Sequence, residues 1–427
     1  MGSIHVSGGK ILCGETTIQG SKNATLPLMA AAVLHKGMTV LHNCPVIQDV
    51  ECMRLLLEDL GCHTGMDGHT LWIDASEIRK NELDAGLTAK MRGSVLLMGA
   101  LLGRCREVVL PFPGGCVIGK RPINYHLDMM RRMGTEVVCQ GDRMVLRTGK
   151  LKGTVMEMPF PSVGATENGI LAGTLAEGRT YLSGCAMEPE IQELGSFLRK
   201  KGARVQIENG HVAVEGVKEL HDSEYVLMPD RIVAGTYLLA VLGTRGDAVL
   251  HEVPAAALHV LTELICRMGG SLTEYDLEKK TQEWKNCTVR VDCRGRKNAV
   301  LFAETAPYPG FPTDLQSQLM AVMASCCGSI CHIRENVFEN RFMIAPQLKK
   351  MGADIRMNEN EAHIYGVPVL HGTELCAREL RGGAALILAG MSAEGVSRIT
   401  PDDYIKRGYE NICKDLKELG ADVSWEA

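Results

Sequence analysis

The amino-acid sequence predicts an α/β protein with two lobes, each built from three similar units. The chain has 427 residues, which is more than one ordinary hydrophobic core accommodates. Helical patterns that end in glycine recur about every 70 residues, and a short β-type run follows most of them. The six glycines are Gly61, Gly134, Gly202, Gly269, Gly352 and Gly420.

A second kind of helical segment lies upstream of these glycines and is rich in alanine, leucine and methionine. Examples are "PLMAAAVL", "GILAGTLA", "TYLLAVLG", "LMAVMASC" and "AALILAGM". They are apolar on almost every side, so we expect them to be buried. Each unit is thus predicted to run strand–helix–strand–helix–strand, with six such units in the chain. We assign residues 22–230 to the first lobe and residues 1–21 plus 231–427 to the second.

Composition and charge argue against several functional classes. A net charge of -5 and an aromatic content of 4% do not favour a nucleic-acid-binding protein. We found no window of eighteen apolar residues and no hydrophobic stretch at the N-terminus typical of a signal peptide. We therefore expect a cytoplasmic protein without membrane association, in which the sixteen cysteines are reduced. It is expected to act as a monomer or a weak oligomer.

The stretch "PFPGGCVIGKRP" at residues 111–122 is the first candidate for chemistry. From Leu110 to Gly134 the chain takes 24 residues, whereas the corresponding distance from Leu41 to Gly61 is 20, so this stretch is an insertion. Lys120 and Arg121 would favour the thiolate of Cys116, which could act as a nucleophile or a general acid. The alternative is that one of sixteen cysteines falls in a loop by chance.

Charged residues recur at predicted turns and helix starts. Lys22 and Asn23 follow a glycine turn that opens an apolar helix, which is typical of an anion site. Arginines at corresponding turns suggest bound phosphates or carboxylates, since a helix start disfavours cations; alternatively, they are solvated helix-end residues. They are Arg92, Arg231, Arg341, Arg381 and Arg407.

Two carboxylates are candidates for acid–base chemistry. Asp314 follows the turn "YPGFPT" and could be either a helix N-cap, a role open to Thr313 as well, or a general base among arginines. Glu379 in "CARELRGG" is the second candidate. The cluster "SCCGSIC" has no partner motif of the CxxC type, so we expect neither a metal nor another cofactor.

Several long motifs, in order across almost the whole chain, closely resemble the UDP-N-acetylglucosamine enolpyruvyl transferases. They include "GSKNATLPLMAA", "PGGCVIGKRP", "PSVGATEN", "EPEIQELGSFL", "MPDRIVAGTY", "FPTDLQSQ" and "KRGYE". The resemblance implies an inside-out α/β barrel of two pseudo-symmetric lobes. It also implies transfer of the enolpyruvyl group of phosphoenolpyruvate to the 3′-hydroxyl of UDP-N-acetylglucosamine, the first committed step of peptidoglycan synthesis.

The same resemblance implies roles for the candidate residues. Cys116 would protonate or add to phosphoenolpyruvate and be alkylated by fosfomycin, and Asp314 would be the base for the sugar hydroxyl. The remaining roles are phosphate binding by Lys22, Arg121 and Arg407, carboxylate and diphosphate binding by Arg92, Arg341 and Arg381, sugar binding by Asn23, uridine binding near Pro122, and nucleotide contacts from Ser162, Val163 and Gly164.

Four residues depart from the pattern of this family. Glu379 stands where the family usually has aspartate, so its carboxylate is one methylene further from the backbone, and its role in substrate binding is in doubt. The other departures are Asn124, Phe160 and Lys406. They leave two alternatives open: a divergent paralogue that binds a UDP-sugar as a regulator, and an enolpyruvyl transferase for another acceptor.

Overall fold

A computed structural model describes residues 2–112, 119, 122–276 and 286–426. The described residues form two compact units. Unit 1 contains the segment up to Gln19 and the segment from Pro229 onwards, together with Gly119. Unit 2 contains the other described residues between Gly20 and Met228. Helices and strands alternate in both units, which confirms the predicted α/β class.

Thirteen α-helices lie in the described part of the chain. They are α1 (Lys22–Ala32), α2 (Gln48–Leu60), α3 (Ala85–Lys90), α4 (Leu97–Cys105), α5 (Asn124–Arg132), α6 (Val163–Thr174), α7 (Pro189–Lys200), α8 (Arg231–Thr244), α9 (His259–Arg267), α10 (Gln316–Ala324), α11 (Ala345–Lys350), α12 (Leu380–Met391) and α13 (Ile412–Glu418). Short 3-10 helices cover Arg92–Leu96, Ala255–Leu258, Thr313–Leu315, Arg341–Ile344 and Ile405–Arg407. None of the described helices is long and apolar enough to cross a membrane.

The described strands have three to seven residues, which is within the usual range. They are β1 (Ser3–Ser7), β2 (Glu15–Thr17), β3 (Met38–His42), β4 (His63–Asp67), β5 (Thr70–Asp74), β6 (Glu107–Pro111), β7 (Glu136–Gln140), β8 (Arg143–Arg147), β9 (Val155–Glu157), β10 (Arg179–Ser183), β11 (Arg204–Glu208), β12 (His211–Glu215), β13 (Ser223–Val226), β14 (Asp247–Val253), β15 (Ser271–Asp276), β16 (Cys287–Asp292), β17 (Val300–Glu304), β18 (Ile330–Arg334), β19 (Asp354–Asn358), β20 (Glu361–Tyr365), β21 (Glu374–Cys376), β22 (Val396–Thr400) and β23 (Asp422–Glu426).

These strands form six sheets within the described residues, three in each unit. Unit 1 holds the sheets β21-β22-β1-β23, β15-β16-β14-β2 and β17-β18-β20-β19. Unit 2 holds β13-β3-β5-β4, β11-β12-β10-β9 and β6-β8-β7. Each four-stranded sheet has one parallel and two antiparallel pairs. In the three-stranded sheet, an isolated parallel bridge between Glu82 and Val109 lies beside β6.

The six glycines that predict helix ends have the backbone conformation that this role requires. Their φ angles lie between +85° and +108°, a region that side chains with a Cβ rarely adopt. Each lies within two residues of the end of α2, α5, α7, α9, α11 or α13, and a strand begins two residues later. The prediction of a helix, a glycine cap and a following strand is therefore confirmed at all six positions.

The alanine- and leucine-rich helices are buried, as predicted. In α8, every residue from Arg231 to Gly243 is buried, and in α12 every residue from Arg381 to Met391. In unit 1, α8, α10 and α12 pack against one another. In unit 2, α1, α4 and α6 form the corresponding layer. A helix that is apolar all round needs neighbours on all sides, and the sheets supply the remaining ones.

The buried amide of Asn168 joins the helices of unit 2. Its Oδ1 accepts a hydrogen bond from the backbone N–H of Gly99 at 2.7 Å, and its Nδ2 donates to the carbonyl of Val95 at 3.1 Å. The same Nδ2 lies 3.0 Å from Nδ1 of His126. A Cβ at Gly99 would lie 2.6 Å from the backbone oxygen of Asn168, so this crossing of α4 and α6 requires glycine.

A lysine is fully buried in unit 2. Nζ of Lys201 donates to Oγ1 of Thr39 at 2.8 Å and to Oγ of Ser223 at 3.3 Å. Thr39 and Ser223 are direct partners in the parallel pair of β3 and β13. Burial lowers the pKa of Lys201 to about 8, although nearby Asp222 raises it. The ammonium group thus ties two strands together at a cost in desolvation.

The N-terminal strands complete sheets in unit 1. β1 lies between β22 and β23, with Ser7 opposite Val396 and Ser3 opposite Glu426. β2 pairs with β14, with Thr16 opposite Leu250. The strands β1 and β2 are therefore part of sheets whose other strands come from residues after Pro229.

Candidate active site

In unit 2, α1 and α6 both contact the 3-10 helix Arg92–Leu96. A Cβ at Gly93, next to Arg92, would lie 3.1 Å from Cδ1 of Leu26 in α1. The hydrogen bond between Asn168 and Val95 connects the same 3-10 helix with α6. Helix starts expose unpaired N–H groups and carry partial positive charge, so the starts of α1 and α6 each favour an anion.

Lys22 is held in place by an acidic partner from the next helix. Its Nζ lies 2.7 Å from Oδ2 of Asp49 in the first turn of α2, and both side chains are largely buried. Ser21 caps α1, because its Oγ accepts a hydrogen bond from the N–H of Ala24 at 3.3 Å. Asn23 is half-buried beside it. The predicted turn, lysine and helix start are therefore present.

The predicted nucleotide segment opens helix α6. Ser162 caps this helix by accepting from the N–H of Ala165 at 3.4 Å, and Val163 is its first residue. Gly164 packs on the ring of His126, where a Cβ would lie 3.2 Å from Cε1. Pro122 is exposed two residues before α5.

In unit 1, helix starts lie together. Asp230 caps α8, since one carboxylate oxygen accepts from the N–H groups of Ile232 and Val233 at 2.8 and 3.0 Å. A Cβ at Gly235 would lie 2.5 Å from Cδ1 of Leu315, which immediately precedes α10. α12 packs against both helices.

Asp314 lies between two buried arginines at this end of unit 1. Its Oδ1 is 2.8 Å from Nη2 of Arg341, and its Oδ2 is 3.2 Å from Nη2 of Arg381. The arginine side chains are 2% and 4% exposed, whereas that of Asp314 is 29% exposed. A partly exposed carboxylate that is paired with two buried guanidinium groups is fixed in orientation and can still be reached by a proton donor.

The alternative interpretation of Asp314 as a helix N-cap is wrong. Its carboxylate is bound to the arginines, and no side chain caps the start of α10, where Leu315 is the residue before the helix. Thr313 does not cap this helix either: the start of α10 has no side-chain cap, and the Thr313 hydroxyl donates to Oε2 of Glu335 at 2.9 Å.

Glu379 is the N-cap of α12. Its Oε2 accepts from the N–H of Arg381 at 2.7 Å, and its Oε1 accepts from the N–H of Gly382. Oε2 also lies 3.7 Å from Nη1 of Arg341. The longer side chain thus reaches the first turn of the helix and stays near the arginine that binds Asp314. Glu379 connects the backbone of α12 with this cluster.

The predicted helix-start position holds for four of the five recurring arginines. Arg231 and Arg381 are the first and second residues of their α-helices, while Arg92 and Arg341 begin 3-10 helices. Arg407 is different, because it ends the 3-10 helix Ile405–Arg407. Arg231, Arg341 and Arg381 are buried, so they are not solvated helix-end residues.

The segment after Arg407 packs on the start of α12. A Cβ at Gly408 would lie 2.7 Å from Cδ2 of Leu380, and the Arg381 guanidinium carbon lies 5.8 Å from the centre of the Tyr409 ring. Burial lowers the pKa of Arg381. Asp314, Tyr409 and Asp230 together raise it by more, so the pKa of Arg381 lies above the usual arginine value.

Three predicted residues lie outside the described part of the chain. They are Cys116, Lys120 and Arg121, all in the inserted stretch at 111–122.

Sequence reasoning missed several residues around these groups. Asp49 pairs with Lys22, and Tyr409 lies against Arg381. No spacing in the sequence indicated either contact. Glu167 is also buried in α6, and burial together with Glu190 and Glu188 raises its pKa well above the usual value. The motifs "PSVGATEN" and "EPEIQEL" contain these three acids and were the available signal. In the described ranges, no group of three or more His, Cys, Asp or Glu side chains is arranged to hold a metal ion.

Comparison with known proteins identifies the class. The fold and the full-length relatives define an α/β enzyme of the carboxyvinyl (enolpyruvyl) transferase class. The family model described as EPSP synthase (3-phosphoshikimate 1-carboxyvinyltransferase) matches residues 6–416, and the chain belongs to this family.

Curated relatives resemble the chain over almost its full length. UDP-N-acetylglucosamine 1-carboxyvinyltransferase 2 of Caldanaerobacter subterraneus subsp. tengcongensis is 42% identical over 424 residues, covering 99% of both chains. UDP-N-acetylglucosamine 1-carboxyvinyltransferase 1 of Symbiobacterium thermophilum is 40% identical and covers 98% of this chain and 94% of its own. The resemblance drawn from the sequence motifs is therefore confirmed.

Solved structures resemble the fold. The enolpyruvyl transferase NikO from Streptomyces tendae has a TM-score of 0.87 at 25% identity, covering 99% of this chain and 98% of its own. EPSP synthase from Acinetobacter baumannii has a TM-score of 0.78 at 18% identity over the whole of both chains, which supports the fold alone.

Proposed function

We propose that this enzyme transfers the enolpyruvyl group of phosphoenolpyruvate to the 3′-hydroxyl of UDP-N-acetylglucosamine and releases phosphate. The observation that carries the proposal is full-length identity of about 40% to relatives named UDP-N-acetylglucosamine 1-carboxyvinyltransferase. The cluster of Asp314, Arg341 and Arg381 supports it, because the reaction needs a base beside fixed cations. The product would enter peptidoglycan synthesis at its first committed step.

The first step is an addition across the double bond of phosphoenolpyruvate. Asp314 takes the proton of the 3′-hydroxyl while the hydroxyl oxygen forms a bond to C2 of phosphoenolpyruvate. C3 receives a proton at the same time, and we assign the donor as Cys116. The result is a tetrahedral adduct that carries the sugar oxygen, the phosphate and the carboxylate on one carbon.

The second step is an elimination. The bond between C2 and the phosphate oxygen breaks while the Cys116 thiolate takes a proton back from C3, so the double bond forms again on the sugar ether. Departing phosphate carries negative charge that fixed cations stabilise. We assign Lys22, Arg121 and Arg407 to the phosphate, and Arg92, Arg341 and Arg381 to the carboxylate and diphosphate.

The remaining assignments concern the sugar nucleotide. Asn23 would bind the sugar, Pro122 would lie against the uridine, and Ser162, Val163 and Gly164 would meet the nucleotide at the start of α6. The capped helix start of α6 supports this, since its free N–H groups suit an anion such as a diphosphate. The extension of Glu379 into the backbone of α12 supports a positioning role for this residue rather than direct sugar contact.

We further propose that units 1 and 2 correspond to the lobes predicted at 1–21 plus 231–427 and at 22–230. The boundaries of the units, after Gln19 and before Pro229, support this. We also propose that the reaction takes place in the cytoplasm and that the enzyme acts as a monomer or a weak oligomer.

Phosphate release from phosphoenolpyruvate tests the activity, with UDP-N-acetylglucosamine as the acceptor. The parent should release phosphate only when both substrates are present, and Asp314→Asn should lower kcat at least a hundredfold. Asp247→Asn is a matched control: this carboxylate also lies between two arginines, 2.7 Å from Arg290 and 3.0 Å from Arg294, but on a strand. It should keep the parental kcat.

Tight binding of the UDP-sugar without phosphate release would instead support the regulatory paralogue. Release with a different acceptor hydroxyl only would support the enolpyruvyl transferase of altered specificity.

Labelling with fosfomycin tests the thiol separately. We expect one modified peptide, covering residues 111–122, and no label in Cys116→Ala. Cys327→Ala is the matched control, because Cys327 is an exposed thiol elsewhere in the chain and its loss should leave labelling unchanged. A label on any other peptide would refute the assignment of Cys116.

A further inference from the structure

A buried chain of hydrogen bonds runs behind the arginine that binds Asp314. Nε2 of Gln318 donates to Oγ1 of Thr236 at 3.1 Å, and Oγ1 of Thr236 lies 2.9 Å from the hydroxyl of Tyr409. All three side chains are completely buried. The guanidinium carbon of Arg381 lies 5.8 Å from the centre of the Tyr409 ring. Gln318, Thr236, Tyr409 and Arg381 therefore form one connected set, which we term the support chain.

The direction of the hydrogen bonds in the support chain follows from the proton count. The Thr236 hydroxyl has one proton, which it donates to the carbonyl of Ile232 at 2.8 Å. Its oxygen is then an acceptor for both Gln318 and Tyr409, so the Tyr409 hydroxyl is the donor of their shared bond. The Tyr409 oxygen keeps its lone pairs, and it presents negative potential to the neighbouring cation.

Arg381 needs such support because of where it lies. It is the second residue of α12, and the positive end of the helix disfavours a cation there. Its Nη2 binds Asp314, while its Nη1 is buried without a hydrogen-bond partner among the described residues. Because Nη1 makes no hydrogen bond there, the orientation of the guanidinium depends on its other neighbours. They include Asp314, the ring and hydroxyl of Tyr409, and the more distant charge of Asp230.

We propose that Tyr409 is a positioning residue of the reaction: together with Thr236 it holds the Arg381 guanidinium against Asp314, so that Nη1 stays available for an anionic oxygen of the substrate. The inference rests on the proposed role of Asp314 as the base. Tyr409 does not touch the reacting atoms in this account, and it acts only through Arg381.

The first test compares two buried tyrosine hydroxyls of unit 1. Tyr409→Phe keeps the ring and removes the bond to Thr236. Tyr237→Phe is its matched control, because Tyr237 is equally buried and its hydroxyl donates to Oδ2 of Asp415 at 2.5 Å, on a different helix. Both variants should lose similar stability. Only Tyr409→Phe should lower kcat, by about three- to thirtyfold, since a small misplacement of a catalytic group is costly.

The pH profile of kcat separates positioning from a general loss of stability. In the described part of the chain, the titratable and charged groups around Asp314 and Arg381 include Arg341, Glu379 beside Arg341, Tyr409, and Asp230 at the start of α8. Loosening Arg381 removes part of the positive potential around Asp314, so the acidic limb of the kcat profile should move to higher pH. Tyr237→Phe should leave the limb where it is in the parent.

A second substitution tests the support chain from its other end. Thr236→Val is isosteric and removes the acceptor of the Tyr409 hydroxyl, whereas Thr236→Ser keeps it. We expect Thr236→Val to reproduce the loss of kcat, Thr236→Ser to restore most of it, and the double variant with Tyr409→Phe to lose no more than the worse single variant. Thr236→Val also serves if Tyr409→Phe does not fold.

The outcomes distinguish the two levels of the argument. An active Asp314→Asn variant would overturn the proposed base and, with it, this inference. If Asp314→Asn is inactive but Tyr409→Phe and Thr236→Val behave like Tyr237→Phe in kcat and pH profile, only the positioning role is wrong. Loss of kcat with a shifted acidic limb in both variants supports it.

Discussion

Substitutions of Glu379 should show whether the enzyme needs its capping of α12 or the length of its side chain. In Glu379→Ala the N–H groups of Arg381 and Gly382 lose their acceptor in a half-buried helix start. Loss of an N-cap costs about 0.5–2 kcal/mol, and removal of a negative charge from the helix start adds about 0.3–1 kcal/mol. We therefore expect a free energy of unfolding lower by about 1–3 kcal/mol. For a unit of about 200 residues this corresponds to a fall in Tm of roughly 3–9 °C.

The functional effect follows from the residue that the cap positions. Arg381 is in the first turn of α12, so fraying of this turn would move its guanidinium away from Asp314. Glu379→Ala should lower kcat about tenfold, which corresponds to a misplaced rather than a missing charge. Glu379→Asp should stay within about twofold of the parent in kcat and within about 0.5 kcal/mol in stability, because aspartate is a favoured cap.

The measurements are thermal unfolding and phosphate release on the same preparations. Asn411→Ala is the matched control: Asn411 caps α13 in the same unit by accepting from the N–H of Lys414 at 3.0 Å. It should lose about 1 kcal/mol of stability with the parental kcat. If Glu379→Asp is as damaging as Glu379→Ala, the longer side chain has a role that capping does not explain, and the reasoning is wrong.

Two further predictions concern unit 2. Folding lowers the pKa of Lys201 from 10.5 to about 8. Between pH 8 and pH 10.5 the unfolded chain therefore binds more protons than the folded chain. The free energy of unfolding of the parent should rise with pH over this range, by up to about 3 kcal/mol. Urea unfolding of the parent and of Lys201→Met at pH 7 and pH 10 should show this gain in the parent only; equal changes in both would contradict it. Gly99→Ala places a Cβ 2.6 Å from the backbone oxygen of Asn168, so it should lower the free energy of unfolding by about 1–3 kcal/mol. The denaturant midpoint measures this loss. Gly103→Ala is the control and should cost less, because its Cβ would lie 3.5 Å from the nearest atom.

The regular elements were predictable because local rules determine them. A helix that ends at Gly202 needs a left-handed residue there, and the apolar pattern before it predicts the buried face without knowledge of any partner. The same holds for α8 and α12, whose composition alone indicates burial.

The contacts within the candidate site were not predictable in this way. Arg341 and Arg381 meet Asp314 across 27 and 67 residues of chain, and no periodic pattern records such a pairing. Sequence reasoning therefore named these residues one at a time and left Asp314 open between a cap and a base. It also could not show that Glu379 is turned to the backbone of its own helix, since that depends on the rotamer of one side chain.

The position of β1 has a consequence for synthesis of the chain. Every strand of unit 2 lies between Gly20 and Met228, whereas β1 finds its partners only at Val396 and Glu426. At roughly 5–20 residues per second, the first strand leaves the ribosome about 20–80 s before the strands that flank it. An apolar segment with Ile4 and Val6 must wait unpaired for that time. β1 is thus made long before its partner strands β22 and β23 and is among the last strands to pair.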